Sequence, residues 1–197
     1  MPETGSADRR VRRTQGLLHE ALASLIHEKA YDAIVVKEIL ARANVGRSTF
    51  YAHFRDKDEL LVSGIREMLR ASAPGTAPAR SPSRHDEALR FSLPILEHIE
   101  RYRRGADSAA EMPGQAVVHE HLQRVLVELI AAHLGPAVRR RQERRGRVPI
   151  DLVARHVAST FVLVLDWWVG SGDPLPAKQV DELFRALVVP TLVELTA

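Results

Sequence analysis

VGRSTFYAHFRDKDELL, residues 45–61, is the stretch whose reading decides the fold. Phe50 and Phe54 lie four positions apart, so on a helix they share one face, while Tyr51 and His53 point elsewhere. Gly46, Arg47, Ser48 and Thr49 are small or polar. The pattern predicts a short helix over 47–53 held by two aromatic pegs. Asp56 and Glu59, just ahead of Leu60 and Leu61, have capping-box spacing and start a new helix with Lys57 in its first turn. The chain must therefore turn between His53 and Asp56. Upstream, Val36, Ile39, Leu40 and Ala43 have helical spacing over 36–43, and Asn44 can take the left-handed geometry that ends a helix. Helix, tight turn, helix is a supersecondary unit that reads DNA.

Outward from that unit the chain reads as helices throughout. Leu, Ala, Glu and Arg are abundant and no alternating β-branched run occurs, so the expected class is all-α: an amino-terminal three-helix DNA-binding domain with the helix-turn-helix, followed by a carboxy-terminal helical domain. Residues 1–8 are polar, with Pro and Gly, and are expected to be disordered. The helix-turn-helix domain spans 9–56, beginning with a helix from Arg9 to Lys29 on which Leu17, Leu18, Ala21, Leu22, Leu25 and Ile26 form the apolar face. Arg9, Arg10, Arg12 and Arg13 form a cationic arm that reads equally as a phosphate or minor-groove contact and as a solvated, frayed terminus. A connecting helix covers 57–70, and a Pro/Ser/Ala-rich loop covers 71–84.

The rest, 85–197, is the second domain. A helix from Asp86 to Arg103 contains Pro94, which forces a kink or a late start. An amphipathic helix runs from Gln115 to about 134, where Gly135 and Pro136 interrupt it. The arginine run from Arg139 to Arg147 has no interleaved aromatics and reads as a solvated helix end. Pro149 opens the next helix, and the last begins near Ala177. Both are apolar over more than a stripe, with Phe161 to Leu165 consecutive, so they need partners on two sides. A symmetric pairing of these two helices from each of two subunits is the economical solution.

Charge and composition bound the function. The formal net charge is only +3, although the pI is near 9.6, so nucleic-acid binding has to be argued locally. With no cysteine, disulfides, thiolate metal sites and a cysteine nucleophile are excluded. No apolar signal core opens the chain, and the run Phe161–Leu165 falls far short of the roughly 20 residues a bilayer takes, so a cytoplasmic protein without a membrane partner is expected. His119 and His121 flank Glu120, but residues two apart straddle a helix and cannot share a metal. No HExxH, Walker or GxGxxG pattern occurs, so no catalytic, cofactor or metal site is expected.

VVKEILARANVGRSTFYAHFRDKDELL, residues 35–61, resembles the amino-terminal signature of TetR family repressors, approximately TVxxIAxxAGVSxGTFYxHFxxKexLL, at nearly every informative position. The resemblance is specific over residues 10–62; beyond that it extends to the number and length of helices. It implies a homodimer, paired through its two carboxy-terminal helices, whose recognition helices enter successive major grooves of a palindromic double-stranded DNA operator. It also implies an effector whose binding changes their separation. By this resemblance Arg47 and Ser48 face base edges, while Thr49, Tyr51, His53 and Lys57 hold phosphates. Lys37, Arg10 and Arg13 complete the expected DNA-contact set. The side-chain chemistry agrees: a guanidinium grips guanine bidentately, and hydroxyl, imidazole and ammonium groups suit phosphate oxygens. Three positions depart from the signature: Val35 stands for threonine, Asn44 for glycine and Gly46 for a capping serine. Val35 can neither cap nor bond a phosphate, whereas glycine and asparagine serve at their places.

The effector is expected between the kinked helix near Pro94, the helix from Gln115 and the tryptophan helix. Phe91, Ile95, Tyr102, Met112, His121, Phe161 and Trp168 are the expected wall residues, and their few charges point to a small, largely apolar ligand. His156 falls in the apolar stripe of its helix and reads as a core or interface histidine. Of the adjacent Trp167 and Trp168, one faces the core and the other a subunit seam or pocket. A different class of function, a helical small-molecule or protein-binding module that no longer reads DNA, has Val35 as its sequence support.

Overall fold

The computed structural model describes residues 4–71, 84–103, 115–142, 148–171 and 175–196. In chain order the elements are α1 (Thr4–Glu28), a 3-10 turn (Tyr31–Ala33), α2 (Val36–Ala43), α3 (Arg47–Tyr51), α4 (Lys57–Ala71), α5 (Arg84–Ala88), α6 (Ser92–Arg103), α7 (Gln115–Gln142), α8 (Ile150–Gly170) and α9 (Ala177–Thr196). Among the described residues there is no strand. The chain divides into two compact units. The first holds the residues through Ile65 together with the start of α7 as far as His121; the second holds Arg66 onward and the rest of α7.

The first unit is built around Leu18, Leu22, Tyr31, Ile34, Ile39, Phe50 and Leu60, each at or near zero exposure. α1 supplies Leu18, Leu22 and Leu25 at the spacing that keeps them on one face. The close approach of α1 to α4 explains a glycine in mid-helix: a Cβ added at Gly64 would lie 3.3 Å from the His19 ring. Two ion pairs tie α1 to α2. Lys29 pairs with Glu38, and the Arg42 guanidinium grips both carboxylate oxygens of Glu28. The Arg42 and Lys29 hydrogen bonds hold the Glu28 and Glu38 carboxyls, respectively, below the ordinary carboxylate range.

In the second unit, Phe91, Phe161 and Phe184 pack edge against face, with centroids 5.1, 5.2 and 6.0 Å apart. α8 contributes Val153, Ala154, Val157, Ala158, Phe161, Val164, Leu165 and Trp168 to this core. A buried carboxylate, Asp181, is compensated on α9 itself by Arg185, whose Nε donates to it at 2.8 Å. The same guanidinium donates to the Leu89 carbonyl at 3.2 Å, and Ser92 hydrogen-bonds Asp181, so α9 is latched to the turn between α5 and α6.

Several elements differ from the sequence expectation. α1 begins at Thr4, inside the stretch expected to be disordered. The helix expected from Asp86 is two helices, and α6 starts late at Ser92, which places Pro94 in a first turn where no amide donor is needed. α7 does not stop at Gly135–Pro136 but continues to Gln142. α8 is long and apolar enough, by length and composition, to cross a membrane, which the consecutive run alone did not suggest; its many buried side chains are those of a core helix. His156 is exposed rather than part of the core. Of the loop expected at 71–84, Ala71 ends α4 and Arg84 starts α5; its remainder, Met112, the Tyr102 side chain and the side chains of the arginine run lie outside the described residues.

Candidate nucleic-acid interface

α2 ends in a hydrogen-bonded stop. Asn44 sits at φ 51° and ψ 45°, its amide donates to the Ala41 carbonyl at 3.4 Å, and the Val45 amide reaches back to Leu40 at 3.1 Å. These are the two bonds of a Schellman ending, with asparagine in the left-handed position that glycine usually fills. The start of α2 is less complete. Val35 is its N-cap and has no acceptor to offer, so only Glu38 contributes, taking the Val35 amide at 3.0 Å. Val35 is 54% exposed.

α3 is shorter than expected, ending at Tyr51 rather than 53. Phe50 is fully buried and Phe54 nearly so, their rings 5.9 Å apart. With that peg inward, Arg47, Ser48, Thr49 and Tyr51 are all exposed. A helix this short cannot be stable alone. The buried aromatics and the Asn44 turn hold it in place, and its polar side chains are left for something outside the chain. Gly46 caps it without a side chain; a Cβ there would meet Thr49 Oγ1 at an unstrained 3.8 Å. His53 is half-buried beside Phe54.

The capping box of α4 forms in altered register. Asp56 accepts from the Glu59 amide at 2.8 Å as expected, but the Glu59 carboxylate reaches the Arg55 amide, one residue earlier than the N-cap, also at 2.8 Å. That bond, with a second from the Arg55 side chain, holds the Glu59 carboxyl below its ordinary range.

Lys57, expected at a phosphate, makes bonds within the chain. Its ammonium donates to the carbonyls of Tyr31 at 2.8 Å and Ile34 at 2.9 Å, with Asp32 at 3.4 Å, and lies 4.5 Å from the centre of the Tyr31 ring. An ammonium has three donors, and here they close the 3-10 turn. The side chain thereby pins the turn that leads into α2. Tyr31 itself donates to Asp58 at 2.6 Å; burial first, and that bond second, push its hydroxyl well above the ordinary range, so it remains a donor.

Lys37, Arg10 and Arg13 are exposed. Of the expected pocket residues, Phe91 and Phe161 come together, joined by Phe184, which the sequence reading missed although it lies on the apolar face of α9. Ile95 and Trp168 are buried, and the Trp168 indole N–H is satisfied by the Leu175 carbonyl at 3.0 Å. His121 belongs to the first unit, where its Nε2 lies 3.9 Å from Asp58 and its buried Nδ1 has no hydrogen-bond partner among the described residues.

A four-residue polar display, seated on buried aromatics behind a Schellman turn and continued by a capped helix, has the arrangement of a helix-turn-helix unit. Residues 18–63 match the model of the bacterial regulatory proteins of the tetR family. A relative from Bacillus subtilis (strain 168), an uncharacterized HTH-type transcriptional regulator named YxbF, is 35% identical over 98 residues, which cover 47% of this chain and 26% of that protein. The chain thus spans about a quarter of the length of that relative. The crystal structure of a TetR transcriptional regulator from Streptococcus agalactiae 2603V has the same fold, with a TM-score of 0.51 and 22% identity over 94% of this chain and 99% of that one. The structure of RolR in complex with resorcinol gives a TM-score of 0.44 at 18% identity, covering 93% of this chain and 89% of that one. Residues 18–63 are thus similar to a region of the bacterial regulatory proteins of the tetR family, and the likeness to the solved Streptococcus agalactiae structure extends to the fold.

Proposed function

We propose that the protein is a cytoplasmic, ligand-responsive repressor that binds a palindromic operator as a homodimer and is released by a small, largely apolar effector. The observation that carries the proposal is α3: Arg47, Ser48, Thr49 and Tyr51 exposed around a fully buried Phe50. In this reading Arg47 and Ser48 meet base edges. Thr49, Tyr51 and His53 hold phosphates, with Lys37, Arg10 and Arg13 adding charge along the backbone. Lys57 supports that surface from behind through its bonds to the 3-10 turn.

The dimer rests on α8 and α9. Leu152, Leu163 and Trp167 on the first, and Leu183, Leu187 and Val193 on the second, are large apolar side chains left exposed. Apolar exposure of that extent on two neighbouring helices fits a self-complementary partner. The effector binds in the second unit. Because Phe91, Phe161 and Phe184 fill their shared space with one another, it gains entry by displacing aromatic packing, which gives ligand-bound and ligand-empty states different structures, as coupling requires.

Gel-shift titration of the full chain against genomic fragments tests this at physiological salt. The expected outcome is at least one fragment bound on the order of a thousandfold tighter than random duplex. If every fragment binds like random DNA, the operator reading fails.

A further inference from the structure

We propose that Tyr51 is a specificity-determining positioning residue: its ring holds the Arg47 guanidinium in the orientation that reads a base. This rests on the operator reading above.

Arg47 and Tyr51 are the first and last residues of α3, four apart and therefore on one face. The Arg47 guanidinium carbon lies 5.6 Å from the Tyr51 ring centroid, within cation–π range. The ring in turn stands at 87° to Phe50, with centroids 5.2 Å apart, and Phe50 is fully buried. A line of contact therefore runs from the core to the ring to the guanidinium.

Two further observations separate this from ordinary helix surface. Arg42 and Arg55 each spend their guanidinium on a carboxylate, Glu28 and Glu59, whereas no carboxylate among the described residues holds Arg47. The Tyr51 hydroxyl likewise donates to nothing among the described residues, and the ring is 48% exposed. An exposed, hydrated tyrosine that neither fills the core nor bonds a neighbour has the Arg47 contact as its internal role.

The physical consequence is pre-organisation. A long arginine chain loses rotamer freedom when it docks bidentately on guanine, and a stack that already restricts it reduces that loss. The gain falls only on the sequence Arg47 reads, because phosphate contacts need no fixed fork geometry. Tyr51 thus acts on discrimination, while its hydroxyl is available to act on affinity.

The test begins with selection of preferred duplexes from a randomised double-stranded library by the full wild-type chain. Affinities of wild type, Arg47→Ala, Tyr51→Phe, Tyr51→Leu and the Arg47→Ala/Tyr51→Leu pair are then measured on the selected duplex and its single-base variants, at one salt concentration. Tyr51→Phe, which keeps the ring, should retain discrimination at the position that Arg47→Ala relaxes. Tyr51→Leu should relax that same position by about 3- to 5-fold, and the pair should do no more there than Arg47→Ala alone. The proposal is overturned if Tyr51→Leu weakens every duplex equally with discrimination intact, or if Tyr51→Phe loses discrimination. The second arm decides even where the leucine variant folds poorly. A wild type that selects no sequence would instead overturn the operator reading, and the positioning role with it.

Discussion

α3 and the α8–α9 pair solve opposite problems with the same kind of element. α3 exposes its polar residues and buries one aromatic ring; α8 and α9 bury a thick apolar core and still leave leucines and a tryptophan outside. Polar exposure costs a helix nothing in water, so a short display of it can be read as a surface that meets a charged, hydrated partner. Apolar exposure is a standing penalty that only another apolar surface removes. The first surface is the one proposed for DNA and the second the one proposed for a copy of the same chain.

The largest effect that could break this contrast lies on the second surface. Leu163 is 66% and Leu187 57% exposed, so Leu163→Asp/Leu187→Asp should leave the fold intact while removing self-association. Burying one leucine is worth about 1.5–3 kcal/mol, and symmetry repeats each change twice, so dimer affinity should fall by on the order of 6 kcal/mol. Sedimentation should show monomer with an unchanged helical circular dichroism spectrum. A wild type already monomeric at micromolar concentration would remove the second half of the comparison.

On the first surface the largest effect comes from the peg, not the display. Phe50→Ala removes a fully buried ring and should cost about 3–5 kcal/mol of stability, read by urea denaturation. Arg47→Ala, at an exposed position, should change stability by less than about 0.5 kcal/mol. Similar losses in the two variants would mean that α3 is part of the core and not a display.

The legibility of these regions follows from the range of their contacts. The α2–α3–α4 unit is written in local signals: Phe50 and Phe54 four apart, Asn44 at a stop, Asp56 before Glu59. Each acts within one or two turns of backbone. The 3-10 turn at Tyr31–Ala33 and the bonds Lys57 makes to it join positions 23–26 apart and have no periodicity, so these bonds were not legible in the sequence. The exposure of His156 depends on which face of α8 meets its neighbours, which composition does not encode. The aromatic wall was half legible: Phe91 and Phe161 were singled out, but Phe184, on another helix, became their partner only in the fold.

Lys57 offers a sharper discrimination of intermediate size. Lys57→Met keeps the aliphatic stem but leaves the Ile34 carbonyl without the ammonium donor and the Tyr31 carbonyl with the Ile34 amide alone, and should cost about 1–3 kcal/mol of stability. A phosphate-holding lysine predicts the reverse pattern, with stability unchanged and the salt dependence of DNA binding shallower by about one charge. Denaturant midpoints and binding measured at several salt concentrations separate the two. A shallower slope at unchanged stability would return Lys57 to the DNA-contact set.

The smallest effect concerns the turn itself. Asn44 is at φ 51°, where a side chain with a Cβ is strained by roughly 1–2 kcal/mol and asparagine suffers least among the non-glycine residues. Its backbone bonds to Ala41 and Leu40 do not involve the side chain, so substitution changes only the ease of adopting this φ and the freedom of the unfolded chain. Asn44→Ala should therefore lose about 1 kcal/mol. Asn44→Gly exchanges relief of strain against greater unfolded-state entropy and should lie within about 0.5 kcal/mol of wild type. Because α3 follows the turn directly, an angular error there moves Arg47 and Tyr51 together, so Asn44→Ala should weaken selected and random duplexes unequally. Equal weakening would mean that the turn sets stability alone and that the aromatic pegs by themselves aim α3.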